Sequence, residues 1–102
     1  MKPRVGQTLA STVDETAVIV VRAPDREVKI TCGGAEMSDA REKPARSGVP
    51  DPGQTDGTLL GKRYADDELG IELLCTKPGQ GTLAVDGSPL AVKAAKALPA
   101  SD

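Results

Sequence analysis

The sequence predicts a small all-β protein, an antiparallel sheet or barrel of two similar strand-turn halves joined by a long Pro/Gly-rich loop. Two observations predict this class. Short runs of β-branched or alternating apolar residues recur along the chain, each bounded by Gly, Pro or Asp. A pattern of strand, turn and final apolar residue also occurs twice. With 102 residues the chain has room for a single small β domain spanning 1–102.

The first half contains two strand patterns. Residues 16–22, "TAVIVVR", form a continuous β-branched run that is typical of a buried strand, and residues 27–32, "EVKITC", alternate polar and apolar positions. Between them, "APDR" has the composition of a turn, so the two runs are expected to pair as a hairpin. A further short strand is expected near Thr8 to Thr12.

A long segment without apolar periodicity follows. Residues 38–57, "SDAREKPARSGVPDPGQTDG", are dense in Pro, Gly and charge. The sequence therefore predicts a mobile loop or linker here, lying within the domain.

The second half repeats the alternation of strands and turns. Order is expected at "TLLGKRY", 58–64, with a break at "ADDELG", and then "IELLCTK", the turn "PGQG" and the strand "TLAV". Asp86-Gly87 between apolar residues predicts a two-residue hairpin turn, because Gly tolerates a positive φ. Residues 91–98, "AVKAAKAL", are predicted as a strand running into a tail, with one helical turn as the alternative.

Composition limits the core and the classes of partner. Phe, Trp and His are absent and Tyr64 is the only aromatic residue, so the core must be aliphatic and thin. Thin cores gain stability from oligomerisation, a metal or a disulfide. The net charge of −2 with interspersed signs provides no basic stripe, and nucleic-acid binding is not expected.

The lengths of the apolar runs indicate where in the cell the protein is expected. "MKPRVGQTLAS" lacks a hydrophobic signal core, and "TAVIVV" is too short to cross a bilayer. We expect no membrane insertion and a cytoplasmic location, where thiols stay reduced and a disulfide between Cys32 and Cys75 is not expected.

The two copies of the internal repeat are "VKITCGGAEM", 28–37, and "GTLAVDGSPL", 81–90. Aligning them matches Cys32 with Val85 and Gly33 with Asp86. The stretches "ITCGGAEM" and "GQGTLAVDGSPL" resemble the metal-binding knuckle of desulforedoxin and rubredoxin-like proteins, in which a strand leads into a Cys-containing turn, Gly and a final apolar residue. The resemblance covers residues 28–37 and 70–90, and the second range includes Cys75. The resemblance implies a zinc or iron site, with only Cys32 and Cys75 at ligand positions. Four ligands would then require two chains, or added carboxylates from Glu72 or Asp86.

Strand parity gives the cysteines a second interpretation. Ile30 and Cys32 share one face of their strand, and Leu73 and Cys75 share one face of theirs, because strand side chains alternate. Free cysteine behaves as a small buried hydrophobe. Core packing is therefore the preferred interpretation of both residues, with metal ligation by Cys32 and Cys75 as the alternative.

Catalysis is not expected. Acid-base chemistry at neutral pH draws most often on His, which is absent, and a Cys75 nucleophile would lack its imidazole partner. The acidic residues Asp66, Asp67 and Glu68 precede a Gly and indicate a solvated turn rather than a cation site.

The remaining polar motif is "GKRY", 61–64, whose Lys62, Arg63 and Tyr64 are predicted to form an interaction surface, because Tyr is enriched at binding hot spots. The sequence thus predicts a non-catalytic accessory or interaction protein without a cofactor. We expect a homodimer or a subunit of a larger complex that meets a protein partner at a sheet edge. The alternative is a rubredoxin-like zinc or iron protein that shares a metal between chains through Cys32 and Cys75.

Overall fold

A computed structural model of the chain describes residues 2–42 and 49–92. Within these ranges the regular structure consists of short strands and two 3₁₀ turns, at Ala40–Glu42 and Pro52–Gln54. The strands, in chain order, are β1 Thr8–Ala10, β2 Ala17–Arg22, β3 Ile30–Cys32, β4 Ala35–Glu36, β5 Ser38–Asp39, β6 Arg63–Asp66, β7 Ile71–Lys77, β8 Leu83–Val85, β9 Ser88–Pro89 and β10 Ala91–Val92.

The strands form two antiparallel sheets, and the predicted all-β class is confirmed. The six-stranded sheet has the order β10-β6-β7-β2-β1-β5, and the four-stranded sheet has the order β4-β3-β8-β9. Both sheets end in free edges, so the described residues do not form the closed barrel that the sequence left open.

The two sheets show that the chain has two halves related by an approximate two-fold axis. Strands β1 to β5 of the first half correspond, in chain order, to strands β6 to β10 of the second half. When each strand is replaced by its counterpart, the strand order of each sheet is the same order read from the opposite edge. The registers agree residue by residue. Thr8 opposite Ile19 corresponds to Arg63 opposite Leu74. The axis passes between Ile19 and Leu74 in the larger sheet, since each corresponds to the other across the central β2–β7 pair.

The sequence repeat forms the centre of the smaller sheet. β3 pairs with β8, and Thr31 lies opposite Ala84 on the same axis. Each strand turns back through two positive-φ residues, Gly33 and Gly34 in one hairpin and Asp86 and Gly87 in the other. Backbone N–H to carbonyl bonds of 2.9 Å close the two hairpins in the same way, from Met37 to Ile30 and from Leu90 to Leu83. The prediction of two similar strand-turn halves is therefore confirmed.

The core lies between the sheets and is almost entirely aliphatic. Equivalent positions of the two halves are buried together. The equivalent pairs that supply most of the core are Leu9 and Tyr64, Val18 and Leu73, Val20 and Cys75, Ile30 and Leu83, Cys32 and Val85, and Met37 and Leu90. Each half thus contributes one face of a shared core, which neither half could bury alone.

The predicted hairpin between residues 16–22 and 27–32 is wrong. β2 is a central strand whose neighbours are β1 and β7, and β3 belongs to the other sheet. The chain crosses between sheets at 23–29, and regular pairing begins only at Ile30. The physical reason is that β7 offers β2 a longer apolar partner than any local strand, with Val18 opposite Cys75 and Val20 opposite Leu73.

The segment 38–57 contains more regular structure than the sequence predicted. Its first two residues form β5, which pairs with β1, and the two 3₁₀ turns follow. Residues 43–48 lie outside the described ranges. Two hydrogen bonds to Thr82 hold the end of the segment. The Thr82 backbone N–H donates to the Gln54 carbonyl at 2.8 Å, and the Thr82 hydroxyl accepts from the Asp56 N–H. These bonds attach the end of the segment to the second half.

The other predicted strands lie close to their expected places. β6 begins at Arg63 and is the last strand before the turn at 67–70. β8 and β9 form the predicted hairpin around Asp86 and Gly87. Of the 91–98 segment, Ala91–Val92 form β10, and 93–98 lie outside the described residues.

Candidate functional site

The cysteines lie in the core and do not form a disulfide. Cys32 is 0% exposed on β3 and Cys75 is 1% exposed on β7, and both thiols are free. The Cys75 thiol donates to the Lys77 carbonyl at 3.1 Å. Burial raises the pKa of both thiols, and in Cys75 the contact with Lys77 opposes that rise. Raised pKa values and burial describe packing residues rather than reactive thiols.

A polar cluster surrounds Cys32 at the junction of the two halves. The Asp14 carboxylate accepts backbone N–H bonds from Thr16 at 2.9 Å, from Gln80 at 3.0 Å and from Gly81 at 2.8 Å. The Cys32 thiol lies 3.9 Å from the same carboxylate. Because Thr16 belongs to the first half and Gln80 and Gly81 to the second, Asp14 ties the halves together.

The hydrogen bonds keep Asp14 ionised. Burial acts to raise the pKa of this carboxyl and is the largest single influence. The backbone N–H groups of Thr16 and Gly81, which donate to the carboxylate, are the main influences that oppose burial, and the pKa is lowered. Ser11 also organises the turn, because its hydroxyl accepts N–H bonds from Val13 and Asp14.

Hydrogen bonds between the two halves hold this cluster together. Within residues 2–42 and 49–92, no three His, Cys, Asp or Glu side chains come close enough to hold a metal ion. The Thr16 hydroxyl is buried and makes no hydrogen bond to the described residues, and Gly79 packs directly against it. No pattern in the sequence predicts this cluster, because its members lie far apart along the chain and only the fold brings Asp14 next to Gln80 and Gly81.

The equivalent turn of the second half carries the predicted acidic residues. The Asp66 carboxylate accepts N–H bonds from Glu68 at 2.9 Å and Leu69 at 3.2 Å, the same arrangement that Ser11 makes in the first half. Asp67 and Glu68 are exposed. This geometry is that of a solvated turn, as the sequence indicated.

Of the three predicted interaction residues, two lie at the surface and one lies in the core. Lys62 and Arg63 are exposed, and Arg63 reaches Glu72 through an ion pair of 3.3 Å. Tyr64 is only 6% exposed, so the expectation of an aromatic residue at the surface is corrected: its ring fills the core, where the first half has Leu9. Its hydroxyl accepts the Leu59 N–H at 2.9 Å.

This bond holds a turn that we call the leucine turn, residues 59–62. Its backbone is fixed by the N–H of Gly61, φ +79°, which donates to the Cys75 carbonyl at 2.9 Å. Leu59 and Leu60 point outward, and Leu60 is 63% exposed. Val92 is also exposed and lies directly opposite Tyr64 across the β6–β10 pair. Leu59 and Leu60 belong to a segment that the sequence predicts to be ordered, but strand parity does not reveal their exposure because they lie in a turn.

The first half has the counterpart, the valine turn, residues 4–7. The N–H of Gly6 donates to the Val20 carbonyl at 2.8 Å, as Gly61 does to Cys75, and Val5 occupies the place of Leu60 with 70% exposure. The rest of the turn differs: Arg4 stands where the second half has Leu59, and Gln7 where it has Lys62. The two turns thus share a backbone and present different surfaces.

Comparisons with known proteins give no relative. No protein-family model matches the chain, and neither a curated protein nor a solved structure matches it. In the part of the chain that the structure describes, no helix is long and apolar enough to span a membrane.

Proposed function

We propose that the protein is a non-catalytic interaction module that binds a partner protein through the leucine turn. One observation carries this proposal: Leu59, Leu60 and Val92 are each exposed, the Leu59 N–H bonds to the hydroxyl of the buried Tyr64, and Val92 lies opposite Tyr64 on the neighbouring strand. Exposed apolar clusters rimmed by polar residues are typical of protein interaction sites. The backbone bonds that fix the turn reduce the conformational entropy lost on binding.

The charge beside the turn supports a partner of defined chemistry. Lys62 and Arg63 are exposed next to the leucines, and within the described residues Lys62 makes no ion pair. Complementary potentials favour encounter and fix register at interfaces. The partner surface should therefore combine an apolar centre with acidic side chains.

The turn is a better binding surface than the sheet edges that the sequence suggested. Within residues 2–42 and 49–92, the four edge strands, β5, β10, β4 and β9, have two residues each, and β9 contains Pro89, which has no N–H to donate. A partner strand would gain few main-chain hydrogen bonds at such edges.

The partner is a different protein rather than a second copy. A two-fold homodimer through this surface would bring the basic residues of both leucine turns into one interface, and residues 59–62 contain no acidic side chain to pair with them. The thin core that favoured a homodimer is also stabilised within one chain, because the two halves pair through β2 and β7. We therefore propose that the chain is a subunit of a larger complex.

The test uses the valine turn as a matched control. A photo-crosslinking amino acid at position 60 should capture a partner from extracts of the source cells that the same group at position 5 does not. With that partner purified, Leu60→Asp should weaken binding by about tenfold or more, as expected for a buried interface residue, and Val5→Asp should not. Failure to capture a partner, or equal losses from both variants, would refute the proposal. Sedimentation of the free chain as a stable dimer would favour a second copy.

The zinc or iron alternative finds no fit in the described residues. A site shared between chains needs thiols at the surface, and Cys32 and Cys75 are both in the core. Glu72, the carboxylate suggested as an added ligand, is paired with Arg63, and Asp86 accepts the Lys29 N–H at 2.8 Å. We retain this alternative as a prediction to be tested by metal content.

A further inference from the structure

A cleft of about 330 Å³ opens between the valine turn and the first 3₁₀ turn, beside β1. Its lining residues are Arg4, Val5, Gly6, Gln7, Thr8 and Arg41. The volume is at the lower end of the range for small-molecule sites. The cleft lies in the first half, away from the leucine turn, and the interaction proposed above does not use it.

The first source of positive charge is Arg4, whose exposed side chain makes no ion pair within residues 2–42 and 49–92. Its backbone is held by two contacts inside the turn. The Arg4 N–H donates to the Gln7 side-chain oxygen at 3.1 Å, and the Gln7 N–H donates to the Arg4 carbonyl at 3.0 Å. The backbone is fixed at the cleft wall while the guanidinium stays available.

The second source is Arg41, which a neighbouring carboxylate orients. Asp39 accepts the Arg41 backbone N–H at 2.8 Å and the guanidinium Nε and Nη2 at 3.4 Å each. Gln7 Nε2 donates to Oδ2 of this carboxylate at 2.9 Å. A guanidinium has five N–H donors, and these contacts leave those on Nη1 available. Among the side chains that the structure describes here, two guanidinium groups and one carboxylate give a net positive charge.

The second half shows that the fold does not require these residues. At the positions of Arg4, Gln7 and Asp39 the second half has Leu59, Lys62 and Val92, and its turn and edge strand form with the same hydrogen bonds. The bonds among Gln7, Asp39 and Arg41 are therefore an addition of the first half. An addition that the backbone does not need, placed at a cleft, points to a ligand.

We propose that this cleft binds the oxyanion of a small molecule, a carboxylate or a phosphate, between Arg4 and Arg41. Arginine suits such groups because its planar donors match two oxygens at once. Val5 supplies an apolar wall for the body of the ligand, and the Thr8 hydroxyl can donate at the base. The contact between Gln7 and Asp39 acts as a positioning element that holds Arg41 toward the cleft.

The test follows backbone amide shifts of the whole, isotope-labelled chain during titration with inorganic phosphate and, separately, with acetate. Sodium chloride at matched ionic strength is the reference. Saturable shifts at Gly6, Gln7 and Thr8 are expected, with a dissociation constant on the order of 1 mM. The acid that binds more tightly identifies the preferred oxyanion.

Variants decide whether the shifts report this cleft. Arg4→Gln and Arg41→Gln should each weaken binding by about fivefold, near the upper end of what one exposed charge pair supplies. The matched control is Lys29→Gln, an exposed cation on the connection before β3, which should leave the affinity unchanged. Shifts that chloride reproduces, a titration without saturation, or equal losses from Lys29→Gln and Arg4→Gln would overturn the proposal. Unchanged thermal unfolding of Arg4→Gln separates lost binding from lost fold.

Discussion

Cys32 and Val85 occupy equivalent positions of the two halves, on neighbouring strands either side of the axis between Thr31 and Ala84. The other cysteine follows the same rule, because Cys75 corresponds to Val20. At the position of each cysteine, the other half of the chain has a buried valine. This correspondence supports packing as the role of both cysteines more directly than their burial alone.

Replacing Cys75 with the residue of its counterpart should be tolerated. We expect Cys75→Val to change the free energy of unfolding by less than about 1.5 kcal/mol, as volume-conserving core substitutions do. The matched variant Val20→Ala should cost about 1.5–2.5 kcal/mol, because it removes two buried methyl groups. Urea unfolding measures both. A Cys75→Val chain that fails to fold would show that the thiol does more than pack.

Both thiols should resist alkylation in the native protein. They are buried, and burial raises their pKa, so little thiolate is present at neutral pH. Iodoacetamide at pH 7.5 (about one unit below the usual thiol pKa) should label neither residue until urea unfolds the chain. Mass spectrometry after timed quenching gives the rate for each. Rapid labelling of Cys75 alone in the native protein would instead support a nucleophilic role.

Purified untagged protein should contain less than about 0.2 zinc or iron per chain, since a four-cysteine site shared by two chains requires half a metal each. Elemental analysis after gel filtration provides the measurement. The control is a second preparation from cells supplied with added zinc, which separates weak binding from none. A reproducible value near one half, lost in Cys32→Val, would restore the rubredoxin-like alternative.

Gly81 should be intolerant of a side chain. A Cβ at this position would lie 2.7 Å from the Cys32 sulfur and 2.7 Å from the Gly33 backbone nitrogen. Gly81→Ala should therefore destabilise the chain by about 1–3 kcal/mol through overpacking. Gly53→Ala is the matched control, because a Cβ there meets only the Asp51 carboxylate at an ordinary 3.5 Å. Equal unfolding midpoints for the two variants would contradict the close approach of the halves at Gly81.

Local patterns predicted the strands better than their partners. The runs around Ala17–Arg22 and Ile71–Lys77 are apolar enough to identify as strands, and Asp86-Gly87 identified its own hairpin. What failed was the assumption that neighbours in sequence pair. Residues 16–22 and 27–32 lie in different sheets, because the best apolar partner of β2 lies in the other half, beyond the reach of a local pattern.

The candidate sites were less predictable for a related reason. Alternation correctly put both cysteines on buried faces, and it could equally have placed Tyr64 there, beside Leu73. Leu59, Leu60 and Val5 lie in turns, where no periodicity decides exposure. The contacts of Asp14 with Gln80 and of Gln7 with Asp39 join residues far apart in sequence, so only the fold brings them together.

Acid should destabilise the chain through two carboxylates of the first half. The amide of Gln7 and the N–H groups of Arg41 lower the pKa of Asp39 to about 2 from its ordinary value of 3.8. Burial raises the pKa of Asp14, but its hydrogen bonds outweigh burial and lower it. In both groups the unfolded chain takes up protons first as the pH falls.

The sign of the pH dependence follows. The stabilisation from these carboxylates is fully present well above pH 3.8 and decreases as the pH falls below it toward about 2, the folded-state pKa of Asp39. Thermal unfolding between pH 7 and pH 2 should therefore show a falling midpoint on the acid side. Asp14→Asn and Asp39→Asn should each flatten this fall, and the double variant should flatten it further, since the two residues have separate partners. A midpoint that stays constant down to pH 2, or an acid fall of equal steepness in Asp14→Asn, would show that the contact of Asp14 with Gln80 and Gly81 does not hold the halves together through its charge.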